Sequence, residues 1–139
     1  MTSTDRSPES TLAHATRGLA TALGIEMVEL TASRVVATMP VNERTRQPYG
    51  LLHGGASVAL AETVASLGAA MNVDRQRFSV VALEINANHA RATTDGFVRA
   101  TATPIHIGRS TQVWSIVIVD DDARLVCMSR CTLAIVPAR

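Results

Sequence analysis

One carboxylate stands apart in the sequence. Glu62 lies in the run Ala56–Met71, among Val58, Leu60, Ala61, Val64, Ala65 and Leu67. A charge placed among apolar neighbours without a partner is costly. One helical turn away stand Val58, Ala59, Ala65 and Ser66, and none of them is a cation. A carboxylate satisfied by a nearby arginine, or capping a neighbouring element, is one explanation of Glu62. The alternative is chemical. Ser66 shares its helical face, and a carboxylate beside a hydroxyl can hold and activate a water.

Ahead of Glu62 stands His53-Gly54-Gly55. The first N–H groups of a helix lack internal partners, and the helix dipole adds positive character there. Two glycines allow a close approach to the backbone. This makes Gly54 and Gly55 an oxyanion-binding candidate for a carbonyl, although a turn that only needs flexible residues reads the same way. His53 could polarise that carbonyl or simply orient the loop. Two further groups carry polar chemistry: His89 with Arg91, and Gly108-Arg109-Ser110. Arginine beside flexible backbone suits phosphate, although each such residue is more often an ordinary solvated surface residue. The histidines His14, His53, His89 and His106 are scattered, and no Cys/His pair has ligand spacing, so no metal site is expected.

These residues need elements to hold them. Leu12, Ala15, Leu19, Ala22 and Leu23 recur at helical spacing, with Ser7 and Pro8 at the start and Gly24 as the stop. Short strands are expected over 27–30 and 35–40, and a loop over 41–52 with Pro48 and Gly50. The run from His53 to Met71 is apolar nearly all round, which predicts a buried helix. Four strands follow, over 81–89, 97–107, 113–119 and 125–136. Val81, Leu83, Ile85, Ala87 and His89 are expected on one face of the first. Asp95-Gly96 reads as a hairpin turn, which pairs the first strand with the second and brings Arg91 toward the start of the latter. The class is α+β: an antiparallel sheet around one buried helix.

The 139 residues fit one domain, 1–139, with a flexible tail over 1–6. Charged residues make up 18 %, below the usual ~25 %, so surface buried between copies of the chain is expected. A formal charge of +1 gives no reason to invoke nucleic acid or an anionic membrane. Residues 1–10 lack an apolar signal segment, and 56–71 is too short to span a bilayer. Cys127 and Cys131, four residues apart on a strand, lie about 13 Å apart, too far for a disulfide. Free thiols suit a reducing cytoplasm, the expected location.

The string Gln47-Pro48-Tyr49-Gly50-Leu51-Leu52-His53-Gly54-Gly55-Ala56-Ser57-Val58-Ala59-Leu60-Ala61-Glu62 resembles the hotdog-fold thioesterases of the PaaI-like superfamily. Ala82–His89 and Pro104–Trp114 are similar to the branch of 1,4-dihydroxy-2-naphthoyl-CoA hydrolase and the proofreading thioesterase of enterobactin synthesis. The resemblance spans about residues 30–136. It implies a curved antiparallel sheet wrapped around one long central helix, paired into dimers and usually tetramers, with active sites at the dimer interface. By position it implies Glu62 as base or nucleophile, Gln47 and His53 near the thioester carbonyl, and the Gly54 N–H as oxyanion donor. Ser66 would hold the water and His89 would line the acyl site. The expected reaction is hydrolysis of an acyl-CoA, with no metal or redox cofactor.

An aromatic acyl group is implied by the resemblance. Aromatic residues are only 3 %, so aliphatic and methionine walls such as Met71 would have to receive it. Arg91, Gly108, Arg109 and Ser110 are expected on the CoA phosphates. Two other functions fit the same fold. A dehydratase or hydratase would carry an Asp-x-Asn-Pro-x-His string, which is absent. A non-catalytic acyl-CoA-binding protein would not need Glu62, Gln47 and His53.

Overall fold

Alternation of apolar and small or polar residues sets the sheet. In Thr111–Asp120, every second side chain from Gln112 to Asp120 is buried and the intervening ones are partly exposed. A computed structural model describes residues 8–15 and 17–139. The expected 1–6 tail and the Ser7 cap lie outside the described residues. The elements are α1 (Pro8–Ala15), α2 (Leu19–Leu23), β1 (Glu26–Leu30), β2 (Val35–Pro40), α3 (Gly54–Ala70), β3 (Phe78–His89), β4 (Phe97–Ile107), β5 (Thr111–Asp120) and β6 (Leu125–Pro137). The strands form one antiparallel sheet in the order β1-β2-β4-β5-β6-β3. This is the hotdog architecture, with α3 lying against β2, β3, β4, β5 and β6.

The helix sits close because its sheet-facing residues are small. Gly68 lies against Trp114, where an added Cβ would come within 2.5 Å of the ring. The fully buried Trp114 indole donates to Gln112 Oε1 at 2.9 Å, and Gln112 Nε2 donates to the Ala69 carbonyl at 3.2 Å. This relay gives the buried polar groups partners and ties the end of α3 to β5. Cys127 and Cys131 are buried free thiols on β6, and burial first, then the charges of Glu62 and Glu84, pushes the Cys131 thiol up to about 11.

Three local expectations are corrected. The helix over 7–23 is split into α1 and α2, because Gly18 breaks it at φ 62°; Gly24 does close it, in the left-handed region at φ 72°. β3 does not pair with β4. Asp95-Gly96 turns the chain, but β4 pairs with β2 and β5, whereas β3 pairs with β6 and forms the sheet edge. Finally, Val81 and Leu83 do not share a face with Ile85, Ala87 and His89. An irregularity between Ala82 and Glu84 shifts the alternation, so Val80, Ala82, Ile85 and Ala87 pack inward while Val81 and Leu83 are exposed.

Candidate active site

The start of α3 is built by its own sequence. His53 is the N-cap, in extended conformation, and the Gly55 N–H donates to its Nδ1 at 2.7 Å. A side chain at Gly55 would meet the His53 ring at 2.9 Å, and one at Gly54 would meet His89 Nε2 at 2.9 Å. The two glycines are therefore required for different reasons. Gly55 lets His53 fold back as a cap, and Gly54 makes room for His89. The Gly55 N–H is committed to that cap, which leaves Gly54 as the N–H open to a ligand. With Nδ1 accepting, a neutral His53 carries its proton on Nε2, so it too presents a donor.

The loop before α3 is pinned from both sides. The His53 N–H donates to the Thr45 carbonyl at 2.7 Å and the Leu52 N–H to the Thr93 carbonyl at 2.8 Å. Within it, Gln47 Oε1 accepts from the Tyr49 N–H, leaving the amide NH2 of Gln47 as a donor. Gln47, Gly54, His89 and Arg91 together line a cavity of about 370 Å³. This cavity is a convergence of hydrogen-bond donors, suited to a carbonyl that becomes an oxyanion.

Glu62 faces elsewhere. It is half-buried, and the side of α3 that carries it is left open, contrary to the expectation of a helix covered all round. With Ser66, Thr63 and Leu67 it lines a second cavity of about 390 Å³, walled on the far side by Arg17 and Leu19 from the α1–α2 region. The Thr63 hydroxyl donates to the Ala59 carbonyl of its own helix, so Ser66 supplies the hydroxyl available beside the carboxylate. The two cavities share no lining residue. Along α3, Glu62 stands eight residues from Gly54, about 12 Å further on and turned by about 80°.

The remaining expected residues separate. Met71 caps the C-terminal end of α3 and lines neither cavity. Gly108, Arg109 and Ser110 form the tight β4–β5 turn, where the Gly108 N–H donates to the Thr111 carbonyl and the Ser110 carbonyl accepts from Ile135 N. Through the register Thr111–Ala134–Val81, that turn lies at the Phe78 end of β3, whereas Arg91 follows its His89 end. Eight strand residues, about 26 Å, separate Val81 from His89. Arg91 and Arg109 of one chain are therefore not neighbours, and the expected hairpin approach fails with the β3–β4 pairing. The residues missed from sequence are Arg17 and Leu19. Arg17 lies in the bend between α1 and α2, and Leu19 begins a helix of five residues, too short to show a face of its own; only the fold brings them to the Glu62 cavity.

The model of the thioesterase superfamily matches residues 49–127. ComA2 of Bacillus subtilis (strain 168) is 59 % identical over 115 residues, covering 83 % of this chain and 91 % of that protein. The 1,4-dihydroxy-2-naphthoyl-CoA hydrolase of Listeria monocytogenes is 49 % identical over 118 residues, covering 85 % of this chain and 95 % of that one. A crystal structure of a thioesterase variant from Pseudomonas aeruginosa superposes with a TM-score of 0.89 at 42 % identity, covering 95 % of each chain.

Proposed function

The chain belongs to the thioesterase superfamily and is a thioester hydrolase, and from that premise we propose that it hydrolyses acyl-CoA thioesters, aromatic ones by preference, at a site assembled from two copies of the chain. The observation that carries this reading is the division of the chemistry. Donors for an oxyanion line one cavity, the carboxylate and its hydroxyl line another, and α3 holds them about 12 Å apart. A glutamate side chain does not span that gap to reach a carbonyl held at Gly54.

The edge strand β3 supports the assembly. It is 12 residues long, contains no Pro or Lys, and exposes Val81 and Leu83 at 44 % and 64 %. Natural edges of this kind are covered or paired. Antiparallel pairing of β3 with its copy reverses its direction, so the His89 end of one chain, carrying Gly54, lies toward the Phe78 end of the other. The Glu62 side of α3 leans that way: Ser66 and Leu67 line a further hollow with Ser79 and Val80. The same pairing carries Arg91 toward the partner's β4–β5 turn, so the two arginines meet on CoA phosphates only between chains.

In the reaction, the thioester carbonyl accepts from the Gly54 N–H, with Gln47 and His53 as further donors. Glu62 of the partner subunit takes a proton from a water held by Ser66, and the hydroxide adds to the carbonyl. Alternatively the carboxylate adds directly and water cleaves the mixed anhydride. Either route expels CoA as the thiolate, which is protonated, and leaves the free acid. Single turnover in ¹⁸O-water separates them, since only the anhydride route labels Glu62. The primary test is thiol release from a panel of acyl-CoAs. Glu62→Ala should lose at least ~10² in kcat with the fold intact. Binding without turnover of any ester by the unaltered protein would instead establish an acyl-CoA-binding protein.

A further inference from the structure

We propose that Arg17 is a specificity-determining residue, whose guanidinium binds an acceptor oxygen, carboxylate or hydroxyl, carried by the acyl group away from the thioester. The inference rests on the thioesterase reading above and names the substrate class that the Glu62 cavity takes.

Among the described residues, Arg17 is the one cation lining that cavity, and its companions there are mostly aliphatic: Leu19, Ala20, Ala59 and Leu67. Glu62 lines the same space, yet no ion pair joins the two, and Arg17 has no hydrogen-bond or ion-pair partner among the described residues. In the open chain Arg17 is exposed and water solvates it. Once an acyl group fills the cavity and a second copy covers it, that water leaves, and an unpaired guanidinium in an aliphatic setting is costly. Glu62 is a poor permanent partner, because an adjacent cation lowers the basicity that the reaction uses. The compensating oxygen therefore has to arrive with the substrate. A guanidinium presents several donors in a fixed plane, suited to a carboxylate or a ring hydroxyl. The aliphatic walls receive the ring, and Arg17 reads what the ring carries.

The experiment compares kcat/KM for benzoyl-CoA, 4-hydroxybenzoyl-CoA and 4-carboxybenzoyl-CoA in the unaltered protein and in Arg17→Ala, Arg17→Gln and Arg17→Lys. The unaltered protein should favour at least one oxygen-bearing ester over benzoyl-CoA by about 10-fold or more, the scale of a charge-assisted hydrogen bond. Arg17→Ala and Arg17→Gln should erase that preference, with kcat/KM falling for the oxygen-bearing ester and rising for benzoyl-CoA, which no longer desolvates an unpaired guanidinium, and Arg17→Lys should retain part of it for the carboxylate. An equal loss on all three esters would assign Arg17 to CoA or to the fold. A shift of the acid limb of the pH profile on every ester would assign it to Glu62. An unchanged preference would remove any role. Each of these overturns the proposal. Equilibrium binding of the same three esters to the Glu62→Ala protein, with and without Arg17→Ala, reads the discrimination without turnover, so a failure of the thioesterase reading remains separate from a failure of this one.

Discussion

If each site draws Glu62 from one chain and Gln47 with Gly54 from another, two dead proteins should make a living one. Glu62→Ala removes the carboxylate, and Gln47→Ala removes one oxyanion donor, a change that costs about 10² to 10³ in kcat where such donors matter. Each variant alone should run near or below ~1 % of the unaltered rate. After denaturation, mixing in equal amounts and refolding, about half of the dimers are mixed. A two-fold interface gives such a dimer two sites. One inherits both lesions. The other takes Glu62 from the Gln47→Ala chain and Gln47 from the Glu62→Ala chain, and is intact. The mixture should therefore recover about one quarter of the unaltered activity, at least an order of magnitude above either parent. The 12 Å separation along α3 is what makes the result sharp. A site formed within one chain leaves every chain of the mixture dead, and thiol release then stays at the level of the parents. That outcome, with differently tagged chains co-purifying to show that mixed dimers had formed, would refute the two-chain site.

Other outcomes follow from single contacts. Arg109→Ala should raise KM for an acyl-CoA with kcat nearly unchanged, less so at high salt, and should leave an acyl-N-acetylcysteamine thioester unaffected. An equal loss on the short thioester would place the effect in folding instead. Gly68→Ala puts a Cβ within 2.5 Å of Trp114, an overpacking that should cost about 1–3 kcal/mol and lower Tm by several degrees in a thermal melt; an unshifted melt would contradict the packing described. The Cys131 thiol is held at about 11 against an ordinary 9.0, so its neutral form is the one the fold favours. Stability is then full below about pH 9 and declines as pH rises toward 11, and denaturant titrations should show that slope flattened in Cys131→Ala.

The sequence carried the central helix and its carboxylate because both signals are local. A glutamate within an apolar run is conspicuous, and His53-Gly54-Gly55 marks a helix start whatever packs around it. Pairing in the sheet is not local. Asp95-Gly96 says that the chain reverses, but the strand that follows finds β2 and β5, and β3 is left at the edge. The irregularity near Leu83 is equally silent in sequence, since one extra residue reverses the faces without changing any residue type. The division of labour between Gly54 and Gly55 was invisible for another reason: only the rotamer of His53 decides which N–H is taken. Arg17 lies outside every recognisable motif and gains meaning only from the cavity it borders.

The chain holds a single tryptophan, and it is the residue on which α3 rests. That gives the protein an optical reporter without any label. Trp114 is shielded from solvent and hydrogen-bonded to Gln112, so its fluorescence is set by the contact between helix and sheet. Emission moving to the red on heating or in denaturant marks the moment the helix leaves the sheet. The Glu62 cavity lies on a different side of the helix from the indole. Thioester turnover and integrity of the scaffold can thus be followed in one cuvette as separate signals, thiol release for the first and tryptophan emission for the second.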